Sequence, residues 1–362
     1  MVVLNPIFFM NITRKRDNAK VVVKGVKSIT VEMTRKKPAD VCKIEFPNHK
    51  AFALDVFSED DEVGIALGFK EFAVAPVFLG TIKEIGPNLP LNITCESVAG
   101  AARKNAYKET YANASWTDIA NDALSRGGMV PCLSPFPAPT LPPKKFRVAG
   151  QTPAEVLNTI AEETGFVWYA IPGTNNGYFG PPGEPPQGAN ERRFIFTVGV
   201  NAYTDGCEIE YIKSRRIKKV TVVLPDANYK YPTETAIFKS PDYKDGDKEE
   251  TIRRKPVSLP ASAAKRTEQA ESAAEEEYLK LSTSGFKGSF KAVGNPYIMQ
   301  GVRIALSVPN YDGAGEQGAT AKGSVEYYHP VAGRRHVTVE SVEHHFGDGA
   351  YEMDVTVAGG YE

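Results

Sequence analysis

The stretch that decides the fold runs from Ser284 to Leu306 and reads S-G-F-K-G-S-F-K-A-V-G-N-P-Y-I-M-Q-G-V-R-I-A-L. Its Gly294-Asn-Pro triplet predicts a turn, because proline fixes φ while glycine and asparagine tolerate positive φ. Beyond Gly301 every second residue up to Val308 is apolar, which predicts a strand with one buried face.

The surroundings of this stretch indicate a scaffold. A charged, alanine-rich segment at 261–281 precedes it and predicts a helix with a narrow apolar stripe, suited to lying across a sheet. Strand patterns follow it as far as Val357. The stretch itself contains no chemically reactive group, so a helix feeding an antiparallel sheet is the expected structure.

Bulk composition bounds the class of protein. A chain of 362 residues with 42% hydrophobic and 24% charged residues predicts two or three globular domains. The net charge of -1 gives no general attraction to nucleic acid or acidic membranes. No apolar run reaches the roughly 20 residues of a membrane-spanning helix. The first ten residues lack the features of a signal peptide, so we expect folding in a cytoplasm.

The four cysteines do not predict a metal or redox site. Cys42, Cys95, Cys132 and Cys207 are far apart and have no C-x-x-C spacing. Cys42 and Cys95 fall on the apolar phase of strand patterns, where a reduced thiol packs as a small hydrophobic group.

The first part of the chain predicts an all-β region. Short alternating segments recur between Lys20 and Ser97, including residues 63–69. Residues 78–82 and 91–95 flank Gly86-Pro-Asn, which is typical of a hairpin. Several such strands predict an antiparallel barrel or sandwich.

A small α/β module is predicted next. Ser115 and Asp118 can cap one helix, and a proline-rich connector follows at 131–145. Thr152 and Glu155 form a capping box around Pro153, which starts a second helix that ends at Gly165. A buried strand at 166–169 completes the pattern.

Strand patterns return in the last part of the chain, interrupted by a polar stretch at 226–255 that indicates a long excursion between strands. One internal match stands out. Residues 80–95 and 338–357 share a penultimate strand, a loop and a final alternating strand, which suggests a duplicated β domain.

Chemical motifs are weak. Residues 313–318 satisfy G-x-G-x-x-G, but no strand leads in and no helix leads out, so a surface loop is favoured over a dinucleotide site. His344 and His345 beside Asp348 suggest a metal site, yet adjacent strand residues point to opposite faces, which favours solvent-facing or capping histidines. We predict no catalytic, cofactor-binding or metal-binding residue, and no enzyme activity.

Four places in the chain together resemble one protein family. They are V-K-S-I-T-V-E-M-T-R-K-K-P-A-D-V-C-K-I-E-F at 26–46, the hairpin at 77–95, the helix-strand unit at 150–169, and Gly288-Ser-Phe with Gly294-Asn-Pro and Gln300-Gly-Val. In order and spacing they resemble the baseplate hub proteins of contractile phage tails, the phage late control protein D type, which are related to the hub half of type VI secretion spikes.

The resemblance implies a mainly β fold with an α+β insertion: two antiparallel β-barrel tube domains plus a small α/β module. The first tube domain would cover 1–97, completed by strands from 205–225. The module would cover 98–200, and the second tube domain 201–362 with the helix at 261–281.

The function that the resemblance implies is structural. Such hubs form homotrimers whose six barrels make a pseudo-sixfold ring, which adapts a hexameric tail tube to a trimeric spike. Expected partners are the tail tube protein, a separate central spike protein, the tape measure protein and baseplate wedge proteins, with no specific nucleic acid and no membrane insertion. The expected location is the tail baseplate of a virion or similar contractile particle, assembled in the host bacterial cytoplasm.

The working parts would then be surfaces. We expect two edge strands to help build the ring, because a trimer can cover exposed strand edges. Their apolar residues are Val63, Ile65, Leu67, Phe69, Val302, Ile304, Leu306 and Val308.

Two other functions stay open at this point. One is a tail-associated cell-wall hydrolase that uses Glu155, Glu162 and Glu163, although these glutamates fit a helix cap and a solvated helix face. The other is a carbohydrate-binding tail protein that uses Trp168 with Tyr327 and Tyr328.

Overall fold

The computed structural model describes residues 4–35, 39–47, 56–86, 90–135, 138, 142, 145–181, 194–212, 217–227, 230–240, 243–254, 256–257, 259, 262–282, 285–307 and 335–358. The fold is mainly β, and its largest element is a sheet of thirteen strands. No helix in these ranges is both long enough and apolar enough to cross a membrane.

The N-terminal part of the chain contributes seven strands to the large sheet. They are β1 (Pro6–Thr13), β2 (Lys20–Val23), β3 (Ser28–Thr34), β4 (Val41–Glu45), β5 (Glu62–Phe69), β6 (Val74–Gly86) and β7 (Asn92–Ser97).

A separate α/β module follows. Its elements are a 3-10 helix (Val98–Arg103), β8 (Tyr107–Ala112), α1 (Trp116–Arg126), β9 (Val130–Leu133), β10 (Lys145–Gln151), α2 (Pro153–Thr164), β11 (Val167–Ala170) and β12 (Asn176–Gly180). Both capping boxes predicted from the sequence are present, and Gly165 ends α2 in the left-handed region with φ 70°. The two helices pack in a core of their own around Leu124, Leu157 and Trp168.

The C-terminal part supplies the remaining strands of the large sheet. They are β13 (Phe194–Thr197), β14 (Glu208–Ile212), β18 (Gly285–Val293), β19 (Arg303–Ser307), β20 (Arg335–Gly347) and β21 (Ala350–Ala358).

A small α/β unit lies between β14 and β18 in the chain. It consists of β15 (Lys219–Leu224), β16 (Glu234–Lys239), β17 (Glu249–Arg253) and α3 (Ala263–Ser282). The three strands form their own sheet, and α3 packs on β15 and β16 with Ala270 and Ala274 buried. The polar stretch at 226–255 thus contains two strands of this separate sheet.

The large sheet contains the same strand order twice. In the first copy the hydrogen-bonded order is β3-β4-β7-β6-β5-β1, and in the second it is β14-β18-β21-β20-β19-β13. The members also occur in the same order along the chain. One difference is that β1 pairs antiparallel with β5, whereas β13 pairs parallel with β19.

The two copies agree down to single hydrogen bonds. A register shift between Ile82 and Glu84 in β6 corresponds to one between Val339 and Ser341 in β20. Beside the first shift, Asp60 N donates to Ile82 O and Ile82 N donates to Asp61 O, at 2.8 and 2.9 Å.

Beside the second shift, Gly301 N donates to Val339 O and Val339 N donates to Val302 O, both at 2.9 Å. Ile82 is therefore the counterpart of Val339, and Glu84 that of Ser341. The hairpin match seen in the sequence extends over six strands.

The copies meet where residues 341–347 of β20 pair antiparallel with residues 28–34 of β3. We call this pairing the copy junction. A continuous hydrophobic core runs beneath both copies, and Phe69 contacts Tyr351 across them at a ring-centroid distance of 5.5 Å.

The two closed barrels expected from the sequence are not confirmed. Among the described strands, the hydrogen-bonded path has β14 at one end and β2 at the other.

Candidate assembly surface

A buried polar contact fixes the copy junction. The Gln300 amide nitrogen Nε2 donates to Asp40 Oδ1 at 3.2 Å, with both residues almost fully buried. Ser97 holds Asp40 from the other side, since Asp40 N donates to Ser97 Oγ at 3.0 Å. Burial raises the pKa of Asp40 to about 7, and the hydrogen bond from Gln300 acts in the opposite direction.

A buried histidine lies at the same junction. His344 Nε2 is 3.0 Å from Ile298 O and its Nδ1 is 2.9 Å from the Tyr351 hydroxyl. Because a carbonyl can only accept, Nε2 carries the proton. Nδ1 accepts from the Tyr351 hydroxyl, and this arrangement is that of a neutral His344 imidazole. Burial lowers the pKa of His344 to about 4. Ile298, Gln300 and Gly301 all come from the segment that opened the sequence analysis.

The adjacent histidine faces elsewhere. His345 Nε2 is 3.1 Å from Asp354 Oδ2 and the side chain is 39% exposed. The two imidazoles therefore have different surroundings, as expected for neighbours in a strand. Among the described residues, no group of three histidine, cysteine, aspartate or glutamate side chains is arranged to hold a metal ion. The glycine-rich motif at 313–318 lies outside the described residues.

The strands chosen from the sequence as edges are not edges, and that expectation is wrong. β5 pairs with β1 on one side and β6 on the other, and β19 pairs with β13 and β20. Alternation reveals that a strand has a buried face but not which strands flank it.

The apolar residues of these two strands belong to the core of the single chain. All seven in the described ranges are buried, and Val308 lies outside those ranges. That they contact a neighbouring subunit stays a prediction. The seven are Val63, Ile65, Leu67, Phe69, Val302, Ile304 and Leu306.

Open backbone edges lie elsewhere. β14 is hydrogen-bonded to β18 alone among the described strands. The end of β6 is another open edge, because β5 accompanies it only as far as Thr81 and Asp60–Asp61 as far as Ile82. From Glu84 to Gly86, its partner in the described structure is β7. β2 and β13 are further open edges, since among the described strands β2 pairs with β1 alone and β13 with β19 alone.

Exposed apolar side chains lie on corresponding strands of the two copies. Phe9 on β1 is 58% exposed, and Val22 on the adjacent β2 is 60% exposed. In the second copy, Ile195 on β13 and Val200 in the following turn are 36% and 81% exposed. β1 and β13 are equivalent strands. Sequence reasoning missed these residues, and the available signal was the F-F pair at 8–9, because adjacent strand residues point to opposite faces and one phenylalanine must face outward.

Of the residues named for the two alternative functions, Glu155 and Trp168 have structural roles. Glu155 Oε2 accepts a hydrogen bond from Thr152 N at 2.7 Å, and this contact lowers the pKa of Glu155. Burial raises the pKa of Glu163, with Glu162 adding to the effect. Trp168 is buried and its Nε1 donates to Asn158 Oδ1 at 2.8 Å, so its ring face is not available to a sugar. Tyr327 and Tyr328 lie outside the described residues.

Comparison with known proteins gives matches in structure and none in sequence. No family model and no curated protein sequence matches the chain. The 43 kDa tail protein of prophage MuSo2 from Shewanella oneidensis is similar with a TM-score of 0.61 and 11% identity, over 98% of both chains. A tail protein from Neisseria meningitidis MC58 has a TM-score of 0.58 and 12% identity, over 97% of this chain and 96% of that one.

A third similar structure comes from a secretion system. The E. coli c3393 protein, a component of the type VI secretion system, has a TM-score of 0.50 and 13% identity, over 92% of this chain and 73% of its own. That protein is itself structurally similar to the T4 bacteriophage tail proteins gp27 and gp5. The chain therefore has the fold of phage tail proteins that is shared by this type VI secretion component.

Proposed function

We propose that this protein is a structural hub of a contractile tail: a homotrimer in which three chains present six equivalent sheet copies as a pseudo-sixfold ring. The observation that carries the proposal is the repeated six-strand order, with matching register shifts at Ile82 and Val339. A chain with two equivalent copies needs three subunits to offer six positions. In this view the two copies are the tube domains, the first within 1–97 and the second beginning with β13 at Phe194 rather than at 201, and the α/β module between them is an insertion.

The strand pairing between the copies and the exposed apolar residues support a ring adaptor. Copies already join by strand pairing within the chain, and a head-to-tail contact of the same kind between chains closes into a ring when its rotation permits. Phe9 and Ile195 present apolar groups on corresponding strands of the two copies, so a trimer would offer six apolar patches to a sixfold tail tube. A trimeric spike would dock on features that occur once per chain.

Three measurements test the proposal. Native mass spectrometry over a concentration series should give a trimer, and electron-microscopy class averages should show a ring with three strong and six weak repeats. Co-assembly with a tail tube protein and a spike protein should place it between them in the virion tail. A protein that stays monomeric at the highest attainable concentration, and that neither partner recruits, would rule out the hub function.

A further inference from the structure

The repeat within the chain also specifies how one chain would contact the next. At the copy junction, β20, the penultimate strand of the second copy along the chain, pairs with β3, the first strand in the hydrogen-bonded order of the first copy. The counterparts of these strands are β6 and β14. Both have open edges in the described structure, at the end of β6 and along β14.

The pairing fixes a register. Glu84 corresponds to Ser341, as the register shifts show, so Ile85 and Gly86 correspond to Val342 and Glu343. On the other strand, Ile209 of β14 pairs with Gly288. Gly288 is the counterpart of Cys42, and Cys42 pairs with Val31, so Ile209 is the counterpart of Val31.

Tyr211 and Ile212 therefore correspond to Met33 and Thr34. In the junction, Ser341 lies opposite Thr34 and Val342 opposite Met33. Transferring this register sets Glu84 opposite Ile212, Ile85 opposite Tyr211, and Gly86 opposite Glu210.

Burial provides an independent reason to expect a partner on these edges. At the copy junction, Val342 and Val31 are 1% and 0% exposed. Their counterparts, Ile85 and Ile209, are only partly buried in the single chain. Apolar positions that are covered where the copies meet are thus left incompletely covered where no second copy is present. A second chain paired along these edges would supply the missing cover.

We propose that β14 of one chain adds antiparallel to the end of β6 of a neighbouring chain in this register, so that backbone hydrogen bonds continue the sheet from subunit to subunit. The contact is heterologous, since each chain offers β6 on one side and β14 on the other. This inference rests on the proposed trimer and adds its strand partners and their register.

A disulfide between Glu84→Cys and Ile212→Cys tests the register. Arg35 N donates to Glu340 O at 3.1 Å, so the neighbouring 341–34 pair is of the non-hydrogen-bonded type, with Cα atoms about 4.5 Å apart. The Glu84–Ile212 pair should share that geometry, which a disulfide can span. The matched control is Glu84→Cys with Glu208→Cys, on the same strand face but about 13 Å further along. Both pairs are made with Cys132 and Cys207 replaced by serine.

The expected result is a covalent ladder that ends at the trimer on a non-reducing gel for E84C/I212C after oxidation with copper phenanthroline. E84C/E208C should stay monomeric, and a mixture of the two single variants E84C and I212C should give dimers only. Hydrogen exchange on the unmodified protein checks the contact without substitutions, since amides 84–86 and 208–212 should become protected as the trimer forms.

The outcomes separate this pairing from the ring itself. A trimer by mass in which the two cysteine pairs react equally or not at all, with no new protection at 208–212, overturns the pairing and leaves the ring standing. A ladder that continues beyond the trimer overturns the closed ring. A protein that remains monomeric by mass overturns both proposals.

Discussion

Gln300 donates a hydrogen bond to Asp40 although 260 residues separate them in the chain. Asp40 lies between β3 and β4 of the first copy, and Gln300 lies between β18 and β19 of the second. His344 lies on β20 in the copy junction, so the boundary between the copies contains two buried titratable groups whose pKa values move in opposite directions. Stability should therefore depend on pH through this boundary.

Asp40 should make the protein less stable as pH rises from about 4 to about 7. The unfolded chain loses the proton of this carboxyl near its ordinary pKa of 3.8, whereas the folded chain keeps it until about 7. The free energy of unfolding therefore falls by up to about 1.4 kcal/mol per pH unit in this window. Asp40→Asn should remove that decline, as measured by urea unfolding at a series of pH values. Asp348→Asn, in an exposed turn, is the control, and an unchanged slope in D40N would contradict the assignment.

His344 should have the opposite effect. The unfolded chain binds a proton below pH 6.5, whereas the folded chain leaves this imidazole neutral until about pH 4. Stability is therefore lost as pH falls between these values. His344→Gln should flatten this acid limb, while His345→Gln, with its side chain 39% exposed, should retain it. The two effects oppose each other between about pH 4 and 6.5, so D40N should show the acid limb more steeply than the parent protein, and an equal slope would count against the pair.

Gly301→Ala should destabilise the protein by about 2–3 kcal/mol. Gly301 has φ +84°, and a Cβ atom there would lie 2.7 Å from the Tyr169 hydroxyl. Gly349→Ala is matched for backbone strain, because it has φ +76° with nothing within 4 Å of the added carbon. It should cost about 1 kcal/mol in the same unfolding assay. Equal losses for the two variants would show that the approach of Tyr169 does not constrain this turn.

Gly288→Ala should detach β14 while the rest of the sheet stays folded. An added Cβ would meet Glu208 O at 1.8 Å, inside the β14–β18 pairing. We expect amides 208–212 to lose hydrogen-exchange protection and the free energy of unfolding to fall by about 2 kcal/mol. Ser289→Ala, the next residue on β18, should leave both unchanged. Full protection of 208–212 in G288A would show that the strand can shift to accept the methyl group.

Local sequence signals predicted local structure well. The capping box of Thr152 and Glu155 needs only residues within one turn, so the start of α2 could be read directly. The turn at 294–296 was predicted from the tolerance of glycine for positive φ, but the structure requires Gly294 for a different reason. Gly294 does not have a positive φ in the structure, and it is required because the Tyr351 ring would lie 2.4 Å from an added Cβ.

What the sequence could not predict depends on pairing between distant segments. Residues 63–69 alternate as an edge strand or a central strand would. One neighbour, β6, follows directly, but the other, β1, lies far earlier in the chain, so local alternation does not reveal it. The strands at 234–239 and 249–253 were hidden because they are short and largely exposed, so alternation is masked by charged residues. The assembly surface depends on open edges, which can be identified only after the whole strand order is known.

The unequal lengths of the connections have a consequence for recognition. Residues 35–40 join β3 to β4 in the first copy, whereas residues 213–284, with a sheet and a long helix, join the corresponding strands of the second. A partner that contacts the strands meets two interchangeable sites on every chain, and a partner that contacts these connections meets one. A single gene can thereby encode two different numbers of binding sites. The repeated strands offer two sites per chain, and the connection at 213–284 offers one.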